Sequence, residues 1–334
     1  MKAVFIHKYV SADVMEFGDL PKPVAGPGEL LLAMKAASIN PIDYKVRDGK
    51  VKLLIAYKMP LIMGNDGSGV VESVGSGVTR FKAGDSVIVR PDKSRIGTFA
   101  EFCVVREADA AHKPSNLSFE EAASLPLVGL TTYQAMVTLG KMQKGQSILI
   151  HAGAGGVGTF AIQFAKHLGL HVTTTTSTGN IEFVKNLGAD AVIDYKTTKF
   201  EDACKDLDMV FDTIGGDTLK KSFNVVKKGG VVVSITAIPD SKTGARYGAS
   251  VIVRGLLHLM NAGIRRASSK KGVRYEYLMM EPNGQQLEEI ASLAERQVIR
   301  PVIDRIFELA EMRAAFEYAE KGRSRGKVIL RIGA

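Results

Sequence analysis

Residues 148–158, Ile148-Leu149-Ile150-His151-Ala152-Gly153-Ala154-Gly155-Gly156-Val157-Gly158, run a short apolar stretch into a Gly-x-Gly-x-x-Gly turn, and an amphipathic segment continues to Leu168. The chemistry of such a turn is phosphate binding. Gly153 is expected to allow the tight turn off the strand, Gly155 to let the backbone approach a pyrophosphate, and Gly158 to let the helix pack on the strand. The helix that follows aims free N–H groups and its positive dipole end at the phosphates. A glycine-rich turn alone is a common structural device. With a strand before it and a helix after it, dinucleotide binding is the better reading.

The residues after the turn bear on which dinucleotide. In the NAD-binding version an Asp or Glu about 20 residues past the glycines holds the ribose 2′-hydroxyl. Here nothing acidic lies between Gly158 and Glu182, and the second strand ends Thr173-Thr174-Thr175-Thr176-Ser177-Thr178-Gly179-Asn180. An acid repels a 2′-phosphate, whereas hydroxyls, an amide and a loop N–H donate to it. NADPH is therefore expected over NADH. Without an arginine in the loop, Ser177, Asn180, and Tyr195 or Lys196 are left to hold the phosphate.

These groups need a framework. Strand-like segments at Lys2–His7, Glu29–Ala36, Gly69–Val74, Ser86–Val89 and Ala100–Val105, punctuated by Pro27-Gly28, Gly75-Ser76-Gly77 and Ala83-Gly84-Asp85, suggest a compact β-rich domain over residues 1–120. From residue 121 helices and strands alternate: helix 121–139, strand 147–150, helix 159–168, strand 171–176, helix 181–187, strands 191–193 and 209–211, helix 218–226 and strand 231–235. That alternation is the pattern of a doubly wound parallel sheet over residues 121–269, with a sixth strand from 274–278. A tail helix 287–296, a helix 307–321 and a closing strand 327–332 are expected to return to the first domain, making it discontinuous (1–120 and about 270–334).

Bulk properties exclude several classes. The 334 residues carry a net charge of +9. Residues 241–334 hold 17 Lys/Arg against 10 Asp/Glu, so most of the excess lies there, in Arg265-Arg266, Lys270-Lys271 and the run 321–327. A solvated surface, a field for an anionic cofactor or substrate, and nucleic acid are the open readings, in that order. No apolar run approaches the roughly 18 residues of a membrane span, so no membrane partner is expected. Cys103 and Cys204 are the only cysteines, too few and too distant for a disulfide framework or a zinc cluster, which makes a reducing cytoplasm the default.

A β-rich first domain before a dinucleotide fold resembles the medium-chain dehydrogenase/reductase superfamily along essentially the whole chain, implying a GroES-like catalytic domain plus a Rossmann domain. Gly64-Asn65-Asp66-Gly67-Ser68-Gly69-Val70-Val71-Glu72-Ser73-Val74-Gly75 is similar to that family's signature segment. Its zinc enzymes have His and Glu where Asn65 and Asp66 stand, and a ligating Cys in the region of Ser38 to Asn40. No thiol lies there, so no zinc is expected. The chain resembles the zinc-independent quinone oxidoreductase branch. Within it, Asn40-Pro41-Ile42-Asp43-Tyr44-Lys45-Val46-Arg47-Asp48-Gly49 resembles the Asn-Pro-x-Asp-x-Lys-x-x-x-Gly segment of enone and alkenal reductases.

Read without that resemblance, Lys45 is a surface lysine and Asp43 a turn residue. The resemblance implies instead that Lys45 lies beside the nicotinamide and the substrate carbonyl, with Asn40 and Tyr44 lining the pocket. It puts Gly156-Val157 against the pyrophosphate, Ser177 and Asn180 near the 2′-phosphate, and Tyr195 over the adenosine. Ile214 and Ala237 would approach the nicotinamide, and Arg325 and Gly326 would come back to the cofactor. Without zinc the acceptor must be activated by its own conjugation, which favours quinones and α,β-unsaturated carbonyls. Donors such as Lys45 or Tyr44 would meet the charge developing on oxygen. His151 is expected to be structural. Competing readings are a non-enzymatic NADPH-binding protein, structural or RNA-associated, and a zinc-free alcohol or sugar dehydrogenase. Family architecture suggests a homodimer pairing Val273–Leu278 with its copy.

Overall fold

The computed structural model describes residues 1–9 and 15–333, which form two compact units. One comprises Met1–Leu130 with Glu281–Ala334, and the other Thr131–Met280. The breaks thus follow residues 130 and 280, each later in the chain than the 120 and 269 read from sequence texture.

The first unit is built on the long strand Glu29–Ile39. Gly67–Val74 and Phe102–Arg106 both pair antiparallel with it, and Ser86–Val89 and Ala110–His112 extend the sheet. Register shifts at Leu31/Leu32 and Met34/Ala36 bend the long strand, the usual effect of a bulge. Its alternating side chains Leu30, Leu32 and Met34 enter a core with Val71, Val87, Phe99 and Phe316. The closing strand, Lys327–Arg331, pairs antiparallel with the same long strand, Val328 opposite Ile39. A second, three-stranded sheet joins Glu16–Asp19, Lys2–Ile6 and Leu61–Ile62.

Two helices expected from sequence are cut differently. The stretch 121–139 divides into Phe119–Ala123, Pro126–Tyr133 and a π-helical turn Gln134–Leu139. Pro126 has no N–H for the preceding turn and disfavours helical backbone at Leu125, so the helix restarts there. The stretch 307–321 begins instead as strand Ile303–Glu308, parallel to Lys327–Arg331, and only Met312–Glu320 is helical.

The second unit is a six-stranded, wholly parallel sheet. Its order is Ala191–Asp194, His171–Thr176, Ser147–Ile150, Leu207–Asp212, Val226–Ser234 and Arg274–Tyr277. In chain order that is 3-2-1-4-5-6, the doubly wound dinucleotide-binding arrangement. Ile148, Leu149 and Ile150 are fully buried, as are Val210, Phe211, Val232 and Val233. Continuous apolar runs are what a parallel strand covered on both faces requires. The helix expected at 218–226 is Gly216–Ser222, because Val226 already belongs to the next strand.

Candidate functional site

The strand Ser147–Ile150 sits at the point where the strand order reverses, and its carboxyl end opens into the glycine turn. Crevices for ligands form at that point in open parallel sheets. The turn is tied to the neighbouring strand, with the Ala152 N–H donating to Thr175 Oγ1 at 3.1 Å and the Gly153 N–H to Thr175 O at 2.9 Å. Positive φ falls on Ala152 (53°), not on Gly153. Gly153 is required because a Cβ there would run into the Thr174 side chain, and Gly158 because a Cβ would strike Ala152 O and Gly153 Cα. Gly155 differs, since a Cβ on it would meet only Ala152 O, at 3.4 Å.

Gly155 caps the helix Gly156–His167 without a side-chain partner. Among the described residues no acceptor meets the N–H groups of Gly156 and Val157. A helix start with free donors and an open approach has the geometry of an anion cradle. His151, behind the turn, is fully buried between Thr175 Oγ1 and Ser222 Oγ, both at 3.2 Å. Burial holds its pKa down at about 4, so it is a neutral packing residue edge-on to Phe200.

The other cofactor candidates gather at the carboxyl ends of the same strands. Thr176 pairs with Asp194, which brings Ser177 and Asn180 beside Tyr195. Asn180 Nδ2 donates to Ser177 Oγ at 3.2 Å, and Asn180 Oδ1 is buried with no partner among the described residues. Tyr195 is 61% exposed. Ile214 is half exposed in a loop fixed by Asp212, whose Oδ1 accepts the Ile214 and Gly215 N–H groups at 3.1 and 2.9 Å. Ala237 follows the strand Val226–Ser234, itself held to Asp212 by Ser234 Oγ at 2.7 Å. Sequence reasoning overlooked Asp194, because it lies on the third strand. Its carboxylate accepts the Thr178 hydroxyl at 2.6 Å and the Lys196 N–H at 2.9 Å, which hold it below the usual range.

In the first unit, Asn40, Tyr44 and Lys45 come together on one short helix, Pro41–Arg47, with proline at its start. Asn40 caps that helix and is buried. Its Nδ2 donates to Asp66 Oδ1 at 2.8 Å and to Ser38 O at 3.0 Å, and its N–H donates to Asp43 Oδ2 at 2.7 Å. Asp43 Oδ1 accepts Asn65 Nδ2 at 2.7 Å, and Asp66 also takes Ser38 Oγ at 2.7 Å and the Leu127 N–H at 3.0 Å. The buried Lys327 ammonium completes the group, donating to Ile39 O at 3.2 Å and to Asn40 Oδ1. Asn40, expected at a pocket wall, thus has both ends of its amide engaged inside the protein.

Burial lifts the Asp43 carboxyl to about 7, with the nearby Asp66 charge adding to it. Burial also lowers Lys327, against the pull of Asp66 and Asp43. In the sequence Lys327 reads only as part of the basic run 321–327, whose first reading is a solvated surface; it is buried instead. These are poor surroundings for zinc: two carboxylates whose oxygens are already taken, two amides and an ammonium. Among the described residues no group of three His, Cys, Asp or Glu side chains is arranged to hold a metal ion.

Tyr44 and Lys45 are half-buried and have no side-chain hydrogen bond or ion pair among the described residues. Burial pushes the Tyr44 phenol up to about 12, with Asp43 adding to it. Burial and then the Lys50 charge lower the Lys45 ammonium. Arg325 is exposed. Gly326 is buried with φ 89°, where any Cβ would collide with Val302 O, so backbone geometry already accounts for it.

Residues 26–115 match the alcohol dehydrogenase GroES-like domain, and residues 187–330 the zinc-binding dehydrogenase family. The chain is 35% identical to the mitochondrial NAD(P)H oxidoreductase RTN4IP1 of Danio rerio, over 99% of this chain and 91% of that one. It is also 35% identical to the 2-methylene-furan-3-one reductase of Solanum lycopersicum, over 99% of this chain and 79% of that one. The quinone oxidoreductase structure from Coxiella burnetii superposes with a TM-score of 0.87 at 34% identity, covering 100% of this chain and 99% of that one. The chain belongs to the medium-chain dehydrogenase/reductase family, among its quinone and enone oxidoreductases.

Proposed function

We propose that this protein is an NADPH-dependent oxidoreductase that works without a metal and delivers hydride to a quinone or to the conjugated carbon of an α,β-unsaturated carbonyl. The observation that carries the reading is the glycine turn, with its open Gly155 and the free Gly156 and Val157 donors at the strand-order reversal. The unit Thr131–Met280 is the cofactor-binding domain in this reading, and the other unit is catalytic. Gly153 and Gly158 shape the cradle for the pyrophosphate. Ser177 and Asn180 take the 2′-phosphate, with the unpartnered Asn180 amide oxygen marking a side chain that reorients to present its NH₂. Tyr195 covers the adenosine, Ile214 and Ala237 flank the nicotinamide, and Arg325 approaches the cofactor.

The bound nicotinamide supplies the hydride, and the protein supplies position and charge. Addition to a conjugated carbon leaves negative charge on the carbonyl oxygen. Lys45 and Tyr44 hold unused donors on one helix, and we assign them to that oxygen. Asn40 acts through the buried network that fixes the start of their helix. We further place the protein in a reducing compartment, because Cys103 and Cys204 are buried free thiols. We read the edge strand Arg274–Tyr277 as a dimer edge.

The test is an acceptor panel on purified protein, comparing quinones, 2-alkenals, enones and simple alcohols, each with NADPH and with NADH. Turnover of a quinone or enone with NADPH supports the reading. Equal rates with NADH remove the 2′-phosphate assignment, turnover of alcohols alone removes the acceptor class, and stoichiometric zinc by elemental analysis removes the metal-free mechanism.

A further inference from the structure

Residues 241–275 carry eight Lys/Arg and no Asp or Glu. They fold as three short helices, Ser241–Arg246, Val251–Met260 and Ala262–Lys271, before the edge strand. The middle helix is anchored from one side. Leu257 is its one buried residue, packed so closely on Gly244 that a Cβ there would meet Leu257 Cδ1 at 2.9 Å. Asn261 fixes its end, with Nδ2 donating to Pro239 O at 3.1 Å and Leu257 O at 2.9 Å.

At 100° per residue, Ile252, Leu256, Leu259 and Met260 span an arc of about 100° that runs from about 60° to about 160° away from Leu257. They are 85%, 50%, 70% and 51% exposed. Arg254 and His258 project from the opposite side of the helix, and the next helix carries Arg265, Arg266, Lys270 and Lys271. Large aliphatic side chains held outward in a contiguous patch mark an interaction surface.

We propose that this helix docks on the surface of an anionic lipid bilayer, with the Ile252–Met260 arc in the headgroup boundary and the basic residues on lipid phosphates. An exposed apolar arc with a basic residue on the opposite side is the build of an interfacial helix, and the acid-free cationic excess of residues 241–275 matches the negative potential of such a surface. A second copy fits less well, because a two-fold contact sets the same acid-free rim against itself. The mode is lying on a membrane, since no helix among the described residues is long and apolar enough to cross one. It departs from the expectation of no membrane partner, which rested on spanning length alone. It holds whichever acceptor the enzyme reduces.

The test floats the full chain with vesicles of phosphatidylcholine alone or mixed with phosphatidylglycerol. Binding is expected to the mixed vesicles and to weaken with salt. The I252S/L259S variant should bind at least about tenfold less, and R265E/R266E should lose the preference for anionic lipid, both with unchanged melting temperature. An environment-sensitive fluorophore on Ile252→Cys, where both native thiols are buried, should shift to the blue with mixed vesicles. Absence of binding at low salt, binding indifferent to the serine pair, or no fluorophore shift overturns the proposal. So does a dimer in solution that becomes a monomer in the serine variant.

Discussion

The Lys327 ammonium donates to the side-chain oxygen of Asn40, tying the closing strand to the cap of the helix that carries Tyr44 and Lys45. The same ammonium, together with the buried Arg90, offsets the buried Asp43 and Asp66 charges. Lys327→Met keeps the volume and removes the charge, leaving two buried carboxylates without it. Breaking a buried pair on one side costs about 3–5 kcal/mol. A fall of that size in unfolding free energy is expected by urea titration, and an unchanged midpoint would show that the amides alone carry the network.

Asp43 gives the fold a pH dependence of unusual sign for a carboxylate. Its folded pKa is raised to about 7 from 3.8, chiefly by burial. Its contribution is complete below about pH 4, where both states are protonated. It is lost as pH rises toward 7, because the unfolded chain ionises first. His151 works oppositely in the same window: buried neutral at about 4 against 6.5, it weakens the fold as pH falls. The Asp43 part is therefore read as the difference between wild type and Asp43→Asn. The variant sets an NH₂ against one of two donors, a constant cost of roughly 1–3 kcal/mol. Its disadvantage should shrink as pH rises from 4 to 7; a constant gap in urea midpoints would mean Asp43 is ionised throughout.

What sequence revealed and what it hid divide along physical lines. The parallel strands were legible because Ile148–Ile150 and Val231–Val233 are short apolar runs bounded by turn residues, and both ends of that signal are local. The strand Ile303–Glu308 goes unread in the sequence, where its last two residues read as the start of the helix 307–321, because its pairing with Lys327–Arg331 is a tertiary fact. Tyr44 and Lys45 were legible as a motif, yet their freedom from partners shows only in three dimensions. Lys327 stayed hidden because its neighbours Asn40, Asp43 and Asp66 lie over 250 positions away in the chain. Residues 241–271 showed as a charge bias and not as helices, since their apolar arc faces outward.

The glycines of the turn should separate by experiment. Gly158→Ala presses a methyl group into Ala152 O and Gly153 Cα, backbone atoms that cannot yield. A loss of about 1–3 kcal/mol in stability is expected from such overpacking. Gly155→Ala has room within the protein and trades one cap residue for a poorer one, for about 1 kcal/mol at most. Its main effect should be at least about tenfold weaker NADPH binding by fluorescence titration, because the methyl group enters the cradle assigned to the pyrophosphate. Unchanged NADPH affinity in a folded Gly155→Ala would move the phosphate elsewhere.

Lys45→Ala removes an ammonium that has no partner among the described residues. Its melting temperature should therefore stay close to wild type, while turnover falls. Loss of one donor to a developing oxyanion typically costs about 10²–10³ in rate. A fall of at least about tenfold in kcat/KM with NADPH and a quinone is expected on that ground. Near-wild-type kinetics would take Lys45 out of the site and leave Tyr44 as the donor.

Ser177 follows the last residue of the second strand, its hydroxyl accepting Asn180 Nδ2 at 3.2 Å beside Tyr195. Ser177→Asp puts a carboxylate where the 2′-phosphate is assigned, in the position an NAD-binding strand uses for the ribose hydroxyl. The nearby Asp194 does not already play that part, since its oxygens are taken by Thr178 and the Lys196 N–H. The ratio of kcat/KM for NADPH over NADH should drop at least about tenfold, from like-charge repulsion on one cofactor and a new acceptor for the other. Ser177→Arg should move the ratio upward. If neither substitution changes it, the 2′-phosphate is held by groups outside this loop, and Arg325 becomes the next residue to replace.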